Sequence, residues 1–154
     1  MEMHTTGAPA GRDVLVTVPA RWHRREDLKH GVVVAARARA APPSGHPPEL
    51  VVRCAAVEES LATWRAGAIA ALARQLPAFA LEDRDEFDLG EQPVAYHRFG
   101  HRLGTLELLS EQWAWLVDGL GVTLTCTAAR EDYPAFCDLF EAVAATVDVM
   151  PAAA

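Results

Sequence analysis

Apolar residues fall in short runs typical of β-strands, and some of these runs alternate with polar residues at a period of two, which is the pattern of half-buried strands. Pro19 has no N–H for a strand ladder and closes the first run, while four prolines and a glycine between residues 41 and 48 predict a loop. Gly104 separates two long runs that we expect to pair as a hairpin. The pattern predicts seven strands, at residues 14–18, 32–38, 50–57, 79–89, 94–103, 105–117 and 122–127.

Two other segments repeat their apolar residues at the spacing of an α-helix. Ser60 is a predicted N-cap, and the first helix runs from there to about Leu76, where Pro77 ends it. Arg65 falls inside the apolar stripe of this helix, so either its guanidinium reaches solvent or the buried face is a different one. Asp132, with a proline in the first turn after it, begins the second helix. The amphipathic stripe of that helix has to pack on a sheet, and it contains Tyr133, Phe136, Cys137, Phe140, Val143, Ala144 and Val147.

The strand predicted at 105–117 is apolar on both sides. One side carries Leu109, Trp113, Trp115 and Val117, and the other carries Leu106, Leu108, Ala114 and Leu116. Burial of both sides is expected where helices cover each face of a sheet. The alternative is that one face is partly uncovered and offers a groove or a dimer surface. This second interpretation makes the four residues of the tryptophan side candidate protein-binding residues.

Composition limits the class of protein. The 154 residues suit one domain, and no apolar run approaches the roughly 18 residues of a membrane-spanning helix. A formal net charge of −7 disfavours general binding to nucleic acid or to an anionic membrane. Three cysteines without a CxxC pair indicate buried thiols in a reducing cytoplasm. We expect a disordered leader at 1–13, a single domain at 14–149 and a short tail at 150–154.

Charge is distributed unevenly along the chain. Residues 1–75 contain 10 Lys and Arg against 7 Asp and Glu, whereas residues 76–154 contain 4 against 14. Six carboxylates fall between 82 and 91, but their spacing is not that of a calcium-binding loop. A solvated strand whose charges discourage edge pairing explains them without a metal. The predicted contact for a basic partner, if there is one, is Glu82, Asp83, Asp85 and Glu86.

Motifs of catalysis are absent from the sequence, which contains no G-x-S-x-G, no glycine-rich phosphate loop and no H-E-x-x-H. His97 and His101 share one side of a predicted strand. At ~3.3 Å per residue they lie about 13 Å apart, too far for one metal ion unless the chain turns tightly near Gly100. We therefore predict no catalytic residue, no cofactor and no metal ligand, and we expect that the protein is not an enzyme.

The order of the predicted elements, with several short motifs, resembles a known family. Residues 16–22 (VTVPARW) match a family start of the form F-x-hydrophobic-Pro-x-x-Trp, and residues 79–93 match the element f-x-L-x-G-x-P. Two later stretches also match: Glu111 and Gln112, and residues 123–128 (TLTCTA), which lead into Tyr133 and Phe136. Over about residues 14–148 the chain resembles the PsbP-like superfamily, in its DcrB-like bacterial branch. The resemblance implies an α+β fold, in the form of an α/β/α sandwich with a central antiparallel sheet flanked by helices.

The resemblance also implies function by binding, because members act as adaptors and one bacterial branch looks like chaperones for secreted effectors. We therefore predict a cytoplasmic, non-enzymatic adaptor or chaperone, associated with protein secretion, that binds a protein partner and forms a homodimer. The alternatives are a small-ligand binding module that uses the cavity between sheet and helix, and an enzyme of unknown reaction. A broad apolar sheet face favours the adaptor, a pocket with convergent polar groups favours the ligand-binding module, and perturbed titratable groups beside a nucleophile favour the enzyme.

Overall fold

The computed structural model describes residues 2–8 and 12–152, with side chains described from residue 12 onward. Within these ranges the chain forms ten β-strands and two α-helices, with a short 3-10 helix at Leu28–His30. The strands are β1 (Glu2–Ala8), β2 (Arg12–Val18), β3 (His23–Asp27), β4 (Val32–Arg37), β5 (Glu49–Ala56), β6 (Ala80–Leu89), β7 (Gln92–Leu103), β8 (Leu106–Val117), β9 (Leu120–Ala129) and β10 (Asp148–Val149). The helices are α1 (Leu61–Gln75) and α2 (Tyr133–Ala145). The fold is of the α+β class.

A seven-stranded antiparallel sheet forms the centre of the protein, in the order β3-β4-β5-β9-β8-β7-β6. Trp113 of β8 lies opposite Tyr96 of β7 and Leu124 of β9, which sets the register of the three strands that carry most of the site. A smaller antiparallel sheet has the order β1-β2-β10. The strands β3 and β6 are therefore the two edges of the large sheet, and the polar sequence of each suits an edge.

The main core lies on the side of the large sheet that carries the two tryptophans of β8. Val14, Val16 and Val18 of β2 are fully buried there, because strict alternation places all three on one side of their strand. Phe140 and Val143 of α2 are equally buried in the same cluster. The small sheet and α2 together cover this side, and burial of such side chains stabilises the fold by roughly 1.5–3 kcal/mol each.

Helix α1 contacts the side of β8 that carries Gln112. Its N-cap is confirmed, since the Ser60 hydroxyl accepts a hydrogen bond from the Thr63 amide at 3.1 Å. Arg65 is 3% exposed and donates a hydrogen bond to Gln112, so its guanidinium does not reach out to solvent. A Cβ on Gly121 would lie 2.7 Å from the Trp64 ring, so the close approach of this helix requires glycine in β9.

The N-terminal segment differs from the expectation of a disordered leader, and the predicted short tail is hydrogen-bonded to Arg12 through Met150. Residues 2–8 pair along their whole length with β2, and Arg12 donates hydrogen bonds to the carbonyls of Val117, Asp118 and Met150. Unpaired backbone at the edge of β2 explains the difference, because strand pairing satisfies it whatever the composition of the added strand. Residues 1, 9–11 and 153–154 of the predicted leader and tail lie outside the described residues. Across the described part of the chain no α-helix is both long and apolar enough to span a bilayer.

Candidate functional site

A cleft of about 490 Å³ opens between the large sheet and α2. Strands β6, β7 and β8 supply its floor, and α2 supplies one wall from Tyr133 to Ala145. Its volume lies within the roughly 300–1,000 Å³ typical of sites for small molecules. Four aromatic side chains line it: Phe87, Tyr96, Trp113 and Tyr133.

A buried carboxylate lines this cleft. Glu111, in the middle of β8, is 2% exposed. The Tyr96 hydroxyl donates a hydrogen bond of 2.5 Å to its Oε2. Its other oxygen, Oε1, is also buried and accepts no hydrogen bond from any residue that the structure describes. An ionised carboxylate accepts several hydrogen bonds in water, so this oxygen has lost its solvation without gaining a partner.

Burial changes the titration of the groups around the carboxylate. It raises the pKa of Glu111, and the hydrogen bond from Tyr96, together with the nearby phenol of Tyr133, opposes the change. Burial, together with the charge of Glu111, raises the pKa of Tyr133 to about 12 and that of Tyr96 further still. Both phenols therefore remain protonated hydrogen-bond donors at neutral pH.

The cleft is acidic overall. Besides Glu111, the carboxylates of Asp83, Asp85 and Glu141 line it, against the single guanidinium of Arg98. The Nε atom of Arg98 is buried and has no hydrogen-bond partner among the described residues. This arrangement of aromatic walls and carboxylates favours positively charged groups.

The tryptophan side of β8 is not an exposed surface. Trp113 is 3% exposed, Trp115 is fully buried and Leu109 is 4% exposed, while Val117 is half-buried at the end of the strand. These four residues therefore offer no broadly exposed face in this structure, and their binding of a protein partner stays a prediction. Residues of α2 and of the small sheet pack in the same buried cluster as the two tryptophans, and Trp113 also lines the cleft.

Alternation divides the predicted acidic contact between the two sides of β6. Asp83 and Asp85 lie opposite Arg98 and Tyr96 and line the cleft, whereas Glu86 lies opposite Ala95 on the other side. Glu82 binds Arg130 in an ion pair that lowers the pKa of the carboxyl. All four acidic residues are exposed. Contact with a basic partner stays a prediction, but these residues do not form one continuous patch.

A second polar cluster lies on the other side of the large sheet, under α1. His97 is 1% exposed, and its Nε2 has no hydrogen-bond partner among the described residues. Burial and the nearby charges of Arg65 and Arg84 lower its pKa to about 4. Burial also lowers the pKa of Arg65 to about 10, so this guanidinium stays charged at neutral pH beside a neutral imidazole.

The two histidines of β7 do not converge. The ring of Phe99 stands between them, with centroids 5.4 Å from His97 and 5.6 Å from His101. Among the residues that the structure describes, no three His, Cys, Asp or Glu side chains gather closely enough to hold a metal ion.

A groove of about 510 Å³ beside α1 contains a serine–histidine contact. His101 Nε2 and Ser110 Oγ lie 3.0 Å apart, and Ser110 Oγ also shares a 2.7 Å hydrogen bond with Thr127. Ser110 is 1% exposed, so its hydroxyl is not open to attack on a substrate. Gln112 in the same groove donates to Thr125 at 2.7 Å. These polar groups satisfy one another, in contrast to Glu111.

Glu111 was not predicted as a site residue. In the sequence it drew notice only as one of the residues that match the family pattern. The available signal was its position, because strand alternation puts it on the same side as Leu109, Trp113 and Trp115. A carboxylate inside such an apolar stripe has to be buried with the stripe. Its neighbours Tyr96 and Tyr133 come from β7 and α2, and no local pattern connects them to β8.

Comparison with known proteins identifies the fold. No protein-family model matches the chain, and no curated protein matches its sequence. Among solved structures, LpqN of Mycobacterium tuberculosis, which is involved in cell envelope biogenesis, has a TM-score of 0.74 and 16% identity, over 97% of this chain and 91% of LpqN. Cyanobacterial PsbP from Synechocystis sp. PCC 6803 has a TM-score of 0.65 and 15% identity, over 97% of this chain and 93% of that one. The chain has the PsbP-like fold.

A third protein with the PsbP-like fold is PA94 of Pseudomonas aeruginosa, a protein of unknown function. Its TM-score is 0.70 at 15% identity, over 99% of this chain and all of PA94. The predicted resemblance to the PsbP-like superfamily is thus confirmed at the level of the fold. Because one fold supports many functions, the function has to be argued from the cleft itself.

Proposed function

We propose that this protein is a non-enzymatic binding module that holds a small ligand in the cleft between β6–β8 and α2. Glu111 carries the proposal, since it is a buried carboxylate with one unbonded oxygen in a cleft of ligand size. Leaving a buried charged acceptor unsatisfied costs about 1–3 kcal/mol or more. A ligand that donates a hydrogen bond to Oε1 recovers this free energy, and the recovered free energy becomes affinity.

The other predicted functions have less support. An adaptor with a broad apolar sheet face is disfavoured, because α2 and the small sheet cover the face that carries Trp113 and Trp115. A serine enzyme is disfavoured, because Ser110 is buried and its hydroxyl already contacts His101 and Thr127. A pocket with convergent polar groups remains, which is the feature expected of a ligand-binding module.

The layered α/β/α sandwich implied by the resemblance is part of the proposal. Contacts of α2 with the tryptophan side of β8, and of α1 with Gln112 on the other side, support it. In such a sandwich the cleft lies between the sheet and one helical layer. The helix can then adjust over a ligand while the sheet holds the carboxylate in place.

Filling the cleft tests the proposal. Ala145 lies in the last turn of α2, is exposed and lines the cleft, so Ala145→Trp places an indole over the opening. We expect small ligands that shift the Trp113 indole NMR signal of the wild type to lose this effect in Ala145→Trp.

The matched control for that variant is Ala142→Trp, because Ala142 is also exposed on α2 but does not line the cleft. We expect Ala142→Trp to bind as the wild type does. Equal binding by the wild type and by both variants would show that the ligand lies elsewhere and would contradict the proposal.

A protein-binding adaptor is the second candidate, favoured by one observation at the sheet edge. β6 ends the large sheet, Leu81 on it is 42% exposed, and a basic segment of a partner can add alongside as a further strand. We expect Glu86→Lys combined with Asp88→Lys, both outside the cleft lining, to abolish partner capture from native extract. Ligand binding in the cleft is expected to persist in this variant. Partner capture that survives the charge reversal counts against the adaptor.

A further inference from the structure

Resting on the proposed function, we infer that the ligand of the cleft carries an ammonium or guanidinium group on an apolar stem, with Glu111 as its counter-ion. The cationic group donates to the unbonded Oε1 of Glu111, while Oε2 keeps its hydrogen bond from Tyr96. The apolar stem lies against the aromatic walls of the cleft. The chemical class is an organic cation, such as an aralkylamine.

The hydrogen-bonding state of Glu111 favours a cationic donor. In its ionised form the carboxylate accepts only, so a ligand group that satisfies Oε1 has to be a donor. Charge-assisted hydrogen bonds to a carboxylate are about twice as strong as neutral ones, which gives a cation the advantage over a neutral hydroxyl. Burial to 2% exposure keeps water from screening this interaction.

The walls of the cleft also favour a cation. Phe87, Tyr96, Trp113 and Tyr133 line the cleft together with Glu111, and aromatic rings attract cations through their quadrupoles. Within this group the rings of Tyr96 and Trp113 lie 5.3 Å apart, and those of Phe87 and Tyr96 lie 6.3 Å apart. Phe87, Tyr96 and Trp113 therefore form one continuous aromatic surface.

The charge around the carboxylate has the sign that attracts a cation. Asp83 and Asp85 from β6 and Glu141 from α2 line the cleft together with Glu111. Arg98 is the basic residue that lines it, and its charge interacts with Glu82, outside the lining, as well as with Glu111. The four carboxylates outnumber the one guanidinium. On balance they repel an anionic ligand and attract a cationic one.

The test compares three probes of matched shape: phenethylamine, 2-phenylethanol and 3-phenylpropionate. Their affinities for the full chain are measured by NMR titration of the Trp113 indole signal. We expect phenethylamine to bind about tenfold or more tightly than either of the other two. Glu111→Gln, which keeps the size and the Tyr96 contact, is expected to remove this preference.

Glu86→Gln is the matched control, because this glutamate is exposed on the opposite side of β6 from the cleft. It is expected to keep the preference for the amine. If the neutral alcohol binds in the cleft as tightly as the amine, or if Glu111→Gln retains the preference, the inference is wrong while the proposed function stands. If none of the three probes binds the wild type, both are contradicted.

Discussion

Replacing Trp115 with alanine is expected to destabilise the fold by ~3–5 kcal/mol, which is a large part of the roughly 5–15 kcal/mol that stabilises an ordinary domain. Trp115 is fully buried, and it shares a cluster with Val122 of β9 and Phe140 of α2. Removing the indole leaves a cavity that these neighbours cannot close without moving the sheet and the helix. Chemical denaturation followed by near-UV circular dichroism measures the change.

Trp115→Phe separates packing from hydrogen bonding at the same position. The indole Nε1 of Trp115 is buried and donates to no described residue, so phenylalanine removes an unsatisfied donor while it retains most of the ring. We expect Trp115→Phe to destabilise the fold by much less than Trp115→Ala does. A stable, folded Trp115→Ala protein with altered self-association would instead restore the idea of an exposed tryptophan face.

Acidification is expected to weaken the fold through His97, by up to about 3 kcal/mol. Its pKa is about 4 in the folded protein against an ordinary value of 6.5, because the imidazole is buried near Arg65 and Arg84. As the pH falls through 6.5, His97 binds a proton in the unfolded chain but stays neutral in the folded chain. Stability is therefore lost between pH 6.5 and about 4, and no further loss from this residue occurs below that range.

Variants separate the contribution of His97 to the pH dependence of stability from that of groups whose contribution has the opposite sign. The raised pKa of Glu111 gives a gain in stability as the pH falls, which offsets part of the loss. His97→Leu removes only the imidazole, so the difference between its unfolding free energy and that of the wild type should grow as the pH falls. His101→Gln should show a smaller change, since His101 is half-buried and burial alone lowers its pKa. A difference for His97→Leu that does not vary with pH would contradict the account.

Strands with a clear apolar side could be predicted from the sequence, and strands without one could not. Residues 14–18 and 122–127 alternate regularly, and the structure places them in β2 and β9. β3 is polar on both sides, and it exists because β4 offers a partner for its backbone. Asp132 lies directly before α2 as predicted, yet its carboxylate accepts a hydrogen bond from Ser44 in the proline-rich loop instead of capping the helix.

The candidate site could be predicted only in part. The sequence left two interpretations of the strand with Trp113 and Trp115, and the choice depended on whether another layer covers it. That layer includes the small sheet, which is completed by pairing of residues far apart in the chain, such as Leu15 and Asp148. The cleft arises in the same way, where α2 meets strands that precede it. The sequence shows Glu111 as a charged residue within an apolar stripe. Its unbonded oxygen follows from the packing of α2 on the sheet and cannot be predicted from the sequence.

The ligand that accompanies the protein in its native host tests the central claim most directly. Wild-type protein, Ala142→Trp and Ala145→Trp are purified from that host without denaturation, and the small molecules that each releases on unfolding are identified by mass spectrometry. The account predicts one organic cation, present in stoichiometric amount with the wild type and Ala142→Trp and absent from Ala145→Trp. A wild type that releases no small molecule, or a ligand retained equally by Ala145→Trp, would contradict it.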